Sequence, residues 1–185
     1  MSRTFNVAFT TALFLAAFAA QGEEKAAPAR IGKPATDAQI AAMNLTVFPD
    51  GTGLPQGKGT AAQGKDVFKD KCAVCHNDQA QGRQNQYPAL VGGIGSLATS
   101  KPVKTVGSYW PYATTVFDYI RRAMPYDHPG SLQPDEIYST VAFILNLNGI
   151  IGPNDEMNAT TLPKVKMPNR DGFIPDARPD VKAKR

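Results

Sequence analysis

The sequence predicts an all-α fold with long loops and an irregular C-terminal tail. Apolar residues recur at helical spacing over Ala113 to Met124 and from Gln133 to Gly149. Capping-box patterns open two further segments, Thr36-Asp37-Ala38-Gln39 and Thr60-Ala61-Ala62-Gln63. No convincing strand pattern occurs along the chain.

Residues 1–20 read as a secretory signal peptide. Arg3 supplies the positive start, Phe5 to Ala17 is largely apolar, and Ala17-Phe18-Ala19 gives a small-residue cleavage site, placing the cut near Ala19. The apolar stretch is shorter than the ~20 residues a membrane-spanning helix needs, so no span is expected in the mature chain. Residues 21–35 are rich in Ala, Pro and Lys and read as a linker. The roughly 165 residues left after cleavage suffice for one domain with a real core. That domain is expected at 36–149, followed by an extended basic tail at 150–185.

Within the domain, a short helix is expected at about 37–43, where Ile40, Ala41 and Met43 follow the first capping box. Asp50-Gly51-Thr52-Gly53-Leu54-Pro55 is dense in turn residues. The second capping box opens a helix that runs into Cys72, with Val67 and Phe68 on its apolar side. Residues 77–108 read as loops. Ala113, Val116, Phe117, Ile120 and Ala123 form one helical face, which Pro125 ends. Pro134, Asp135 and Glu136 suit a helix start, Ile137, Val141, Ile144 and Leu145 make its stripe, and Gly149 closes it. Five prolines after Gly149 argue for an irregular tail.

Cys72-Ala73-Val74-Cys75-His76 carries the chemistry. This C-x-x-C-H run is the sequence at which c-type haem is attached. Two thiols reach the two vinyl groups of one porphyrin, and one helical turn brings the adjacent imidazole to the same side. The chain has two cysteines, both in this motif, and two histidines. A zinc site would want four ligands, met only if His128 joined by coincidence. A thioredoxin-like pair would sit near a βαβ pattern, which is absent. The motif therefore predicts one covalent haem c, held by Cys72 and Cys75 with His76 on the iron. Its second axial ligand is expected to be Met124, in the turn Ala123-Met124-Pro125 between two helices. Met43, Met157, Met167 and His128 are the other candidates. A thioether suits ferrous iron and raises the reduction potential.

Formal net charge is +4. Residues 164–185 hold seven bases against three acids, so the rest of the mature chain is near neutral. A basic tail can meet nucleic acid, a membrane surface or an acidic protein. In an exported haem protein the protein partner fits best, and no nucleic-acid role is expected. The tail is expected to wrap the domain and carry part of a docking surface.

These residues resemble a class I cytochrome c. In that family a first-helix glycine and an aromatic residue four positions on cross the last helix, which Gly64, Phe68 and Phe143 match. A proline about a dozen residues after the haem histidine offers its carbonyl to the imidazole, a role Pro88 fits. Over roughly residues 31–174 the chain is also similar to the cytochrome c subunits of periplasmic molybdenum sulfite dehydrogenases. The same stretch is similar to the cytochrome part of sulfur dehydrogenase in the thiosulfate-oxidising system. Phe48 to Pro55, Gly107 to Thr114, Ile120 to Asp127 and Lys166 to Phe173 carry that likeness. It implies a class I cytochrome c fold packed around one haem. Tyr109, Trp110, Arg121 and Arg122 become candidates for contacts to the haem propionates.

The resemblance implies a periplasmic one-electron carrier with no catalytic residue of its own. Its donor would be a molybdenum-containing sulfite or sulfur dehydrogenase, and its acceptor a downstream cytochrome or oxidase. Two alternatives stay open: a haem enzyme with a labile sixth ligand, peroxidase or sulfur-transforming, and a freely diffusing carrier without a dedicated dehydrogenase.

Overall fold

A computed structural model describes residues 32–174, 176 and 178. The expected signal peptide, most of the linker and the last basic residues lie outside them. The chain divides into two units, residues 1–37 and 38–185. Of the first, only residues 32–37 are described. The second holds every feature discussed below.

Its elements are α1 (Asp37–Met43), β1 (Lys58–Gly59), α2 (Ala61–Lys71), α3 (Ala73–His76), α4 (Val106–Tyr109), α5 (Ala113–Ala123), α6 (Pro134–Leu147), β2 (Met157–Asn158) and a 3-10 turn (Leu162–Lys164). The expected helices form, with ends set by local chemistry. Thr60 and Gln63 close a reciprocal capping box on α2. The α6 box is built by Gln133 and Glu136, a pairing of a type the sequence reading did not consider at that position. At the end of α5, Met124 N donates to the carbonyl of Ile120, and Pro125 supplies no N–H to continue the ladder.

α2 and α6 cross at the centre of the second unit. Gly64 makes the crossing possible: a Cβ there would lie 1.8 Å from the backbone oxygen of Ser139. Phe68 then reaches Phe143, ring centroids 5.2 Å apart. Burying aromatic side chains of this size contributes roughly 1.5–3 kcal/mol each. α6 is buried nearly all round from Ile137 to Leu145, not only along the stripe its periodicity marks. Phe117 of α5 packs on Tyr138 at 4.5 Å.

Three features depart from the sequence reading. A short antiparallel pair, β1 with β2, matches Lys58 to Asn158 and Gly59 to Met157. Two-residue strands leave no alternation to detect. The segment 77–108, read as loops, ends in α4, whose Thr105 and Ser108 cap one another. The chain beyond Gly149 also returns to the core: Met157, Leu162 and Met167 are all buried in the same cluster as α2, α5 and α6. Residues 150–169 are therefore structural, although their prolines prevent any periodic signature.

Candidate functional site

The attachment motif is shaped by a break between two helices. Cys72 N donates to the carbonyl of Phe68 and closes α2. The Cys72 backbone leaves helical geometry at φ −125°, and its carbonyl accepts from both Cys75 and His76, so α3 begins at once in a new direction. The motif thus sits at the end of the helix that α6 anchors most heavily. Both thiols are free and half-buried. Burial pushes the Cys72 thiol up to about 11, against a smaller opposing effect of Lys71. Among the described residues no group of three or more His, Cys, Asp or Glu is placed to hold a metal ion.

His76 Nδ1 lies 3.1 Å from the carbonyl oxygen of Pro88. A carbonyl only accepts, so Nδ1 donates, and in the neutral ring that tautomer puts the lone pair on Nε2. The loop that brings Pro88 there is tied down along its length. Gly82 N donates to His76 O at 2.9 Å, the Asn77 amide donates to Gly82 O at 2.6 Å, and Leu90 N donates to Ala80 O at 2.8 Å. Tyr87, one residue before Pro88, is hydrogen-bonded to Cys75, and that contact raises its phenol pKa.

Burial separates the candidate second ligands. Met43 is 84% exposed, whereas Met157 and Met167 are 5% and 1% exposed inside the core. Met124 is half-buried at the core's edge, together with Cys72, Leu90, Val91 and Trp110. His128 stands in solvent beside Asp127, Nδ1 to carboxylate 3.3 Å. Of the candidate second ligands, only Met124 combines a soft donor atom with a position at the rim.

The residues expected near the propionates are partly committed elsewhere. Arg122 pairs with Asp118, whose other carboxylate oxygen accepts from Val47 N at 2.9 Å. Arg121 donates one N–H to Leu45 O at 3.3 Å. Trp110 meets Tyr119 edge-on at 5.7 Å. Tyr109 gives its carbonyl to the Asn169 amide at 2.7 Å and its ring edge to Phe173. Lys104 stands over the same ring at 5.0 Å, and Arg170 covers Tyr112 at 4.3 Å.

Sequence reasoning missed three side chains that organise this face. Asn148 binds the carbonyls of Leu90 and Ile144 and the N–H of Gly92. Thr105 Oγ1 donates to Gly92 O at 2.7 Å. Asn169 fastens the Tyr109 segment from the C-terminal side. An asparagine next to a glycine at a helix end reads as a cap, and no local pattern reveals a second partner 58 residues away.

The arrangement fits a covalent haem. Two reachable thiols stand beside an imidazole whose tautomer Pro88 fixes. A half-buried apolar rim of Leu90, Val91, Trp110 and Met124 lies at the edge of the same core.

Comparison with known proteins agrees. A family model described as cytochrome c matches residues 61–148. A chain of the sulfane dehydrogenase SoxCD from Paracoccus pantotrophus shares the fold with a TM-score of 0.75 and 42% identity, covering 81% of this chain and 73% of that one. Two thiosulfate dehydrogenases are more distant. That of Psychrobacter arcticus is 26% identical over 123 residues, 62% of this chain and 35% of its own length. That of Stutzerimonas stutzeri is 29% identical over 94 residues, 49% and 28%. The chain thus spans about a third of the length of these two curated relatives. An attachment motif at the α2–α3 break, set in this helical frame, makes the chain a member of the cytochrome c family, an electron-transfer protein with covalently bound haem.

Proposed function

We propose that this chain is a periplasmic, single-haem carrier. It takes electrons one at a time from a molybdenum-containing sulfite or sulfur dehydrogenase and passes them to a downstream cytochrome or oxidase. The 42% identity to a chain of SoxCD, across 73% of that chain, carries the reading.

In this reading Cys72 and Cys75 would hold the haem covalently, and His76 and Met124 would bind its iron. Haem supplies a one-electron ferric–ferrous couple when bound. The chain's own residues tune and present that couple. The Pro88 carbonyl holds the His76 ring in one orientation and raises its basicity. The Met124 thioether favours the ferrous state. Trp110 shields one side of the rim, and Arg121 keeps donors beyond the one given to Leu45 for a haem carboxylate. Two protein ligands leave no position for a substrate, so the chain needs no catalytic residue. Among the described residues no helix is long and apolar enough to cross a membrane.

The names of the two distant relatives favour a second reading, in which the chain itself oxidises a sulfur compound. One experiment separates the two. Mix the oxidised protein with sulfite or thiosulfate alone, then add a purified molybdenum sulfite dehydrogenase. The carrier reading expects reduction only after the dehydrogenase is added. Rapid reduction by either anion alone makes the chain an enzyme and sinks the carrier reading.

A further inference from the structure

We infer that Asn148 is a positioning residue for His76, acting through the segment that carries Pro88. The inference rests on His76 as an iron ligand. The Asn148 amide donates to Leu90 O at 3.2 Å and to Ile144 O at 2.9 Å, and its oxygen accepts from Gly92 N at 3.2 Å. One side chain thus joins the end of α6 to both polar faces of the 90–92 backbone. Pro88 has no N–H to anchor itself, and its ring fixes its φ. The place of its carbonyl therefore depends on the holds to either side: Tyr87 before it, bonded both ways to Arg83 at 2.9 Å, and residues 90–92 after it. Besides Asn148, the holds on residues 90–92 are Leu90 N on Ala80 O and Thr105 Oγ1 on Gly92 O.

The fold makes room for this device. A Cβ on Gly107 would lie 2.1 Å from the Asn148 side-chain oxygen and 2.4 Å from its Cγ. Gly107 is not in a left-handed conformation, so glycine is required here for space alone. A helix-capping amide would need only the Ile144 contact. The contacts to Leu90 and Gly92, and the glycine cleared for them, point to the loop.

The contact chain runs from α6 through Asn148 to 90–92, to the Pro88 carbonyl and to the His76 Nδ1–H. Loosening it should free that ring N–H to exchange with solvent. A weaker bond at Nδ1 makes the imidazole less basic, stabilises the ferric state less and raises the potential.

The test uses haem-loaded protein. Proton exchange at the His76 ring is followed by NMR in the reduced state, and the reduction potential is measured beside it. Asn148→Ala and Gly107→Ala should each speed exchange by roughly two- to tenfold, the range one lost hydrogen bond corresponds to, and both should raise the potential. Asn146→Ala is the control. It removes another amide bond at the same helix end, Asn146 Nδ2 to Ile151 O at 2.9 Å, without touching the loop. It should change neither readout. If Asn148→Ala does not fold, Asn148→Asp serves, because it keeps the acceptor for Gly92 and loses both donors. Unchanged exchange and potential in the Asn148 variants, or equal changes in Asn146→Ala, overturn the inference. A wild-type His76 ring without the haem ring-current shifts of an iron ligand would instead refute the ligand reading on which it rests.

Discussion

Met124 and Met167 are each followed by proline, yet the fold treats them oppositely. Met124 caps α5 and stands half-exposed at the rim, in the turn that leads to α6. Met167 is 1% exposed, packed in the core by the segment that returns after β2. Two residues on, Asn169 reaches forward to Tyr109 O. The same dipeptide therefore serves a rim in one place and a scaffold in the other. What separates them is burial in the fold, which neither dipeptide encodes.

The largest effect tests whether the returning segment is scaffold at all. Ending the chain after Gly149 removes Met157, Leu162 and Met167 from the core together with the β1–β2 pair. Each buried side chain of this kind is worth about 2–5 kcal/mol. The sum approaches the whole stability of an ordinary domain, roughly 5–15 kcal/mol. The shortened protein should fail to accumulate folded, or should melt far below the full chain when circular dichroism is followed on heating. Ending after Ile174 leaves every one of these contacts in place and should melt like the full chain. A Gly149 truncation with an unchanged melting curve would make the returning segment an appendage.

The two methionines can then be exchanged for alanine one at a time. Met167→Ala should cost about 2–5 kcal/mol, since it opens a cavity in a packed core. It should leave untouched the weak near-red absorbance of a sulfur–iron bond. Met124→Ala should do the reverse. It should abolish that band and lower the potential, while costing on the order of 1 kcal/mol or less for a half-exposed side chain. Loss of the band in Met167→Ala but not in Met124→Ala would move the ligand into the returning segment.

The contrast also marks what sequence could show. Helices α2, α5 and α6 were legible because caps and apolar spacing are local. Gly64, Phe68 and Phe143 were legible from a family pattern, and the close approach at Gly64 gives that pattern its physical cause. The attachment motif needs no fold to be read, because its chemistry is set by three residues in one turn. The sequence reading expected a tail that wraps the domain, but not that Met157, Leu162 and Met167 would enter its core. Their spacing follows no period, and their burial depends on pairing with Gly59 and on packing against α5 and α6. Nor could the sequence assign partners to Arg121 or Asn148, whose contacts join segments far apart along the chain. Side chains that fasten loops to helices look like ordinary surface residues until the loop is in place.

The smallest effect concerns the far end of the Met124 turn. Glu136 accepts from Gln133 N at 2.8 Å and from Lys71 at 2.7 Å, so it both caps α6 and ties α6 to α2. The hydrogen bond from Lys71, and then the one from Gln133, lower its pKa below the ordinary 4.5. A carboxylate lowered in the folded state contributes stability that is present above pH 4.5 and is lost as pH falls through the folded value. The pair is substantially solvent-exposed, so the contribution should stay below about 1 kcal/mol. Glu136→Gln should therefore narrow the gap in unfolding stability between pH 7 and pH 3 by that small amount. Lys71→Met should narrow it too, by less, because the Gln133 contact remains. At the β1–β2 junction, Glu156 pairs with Lys58 at 3.3 Å and is likewise lowered, first by its bond to Asn158. Glu156→Gln reports on the returning segment in the same pH window. Urea unfolding of the three variants at both pH values checks all of this. If Glu136→Gln leaves the pH dependence as steep as in the parent, the start of α6 owes nothing to this carboxylate.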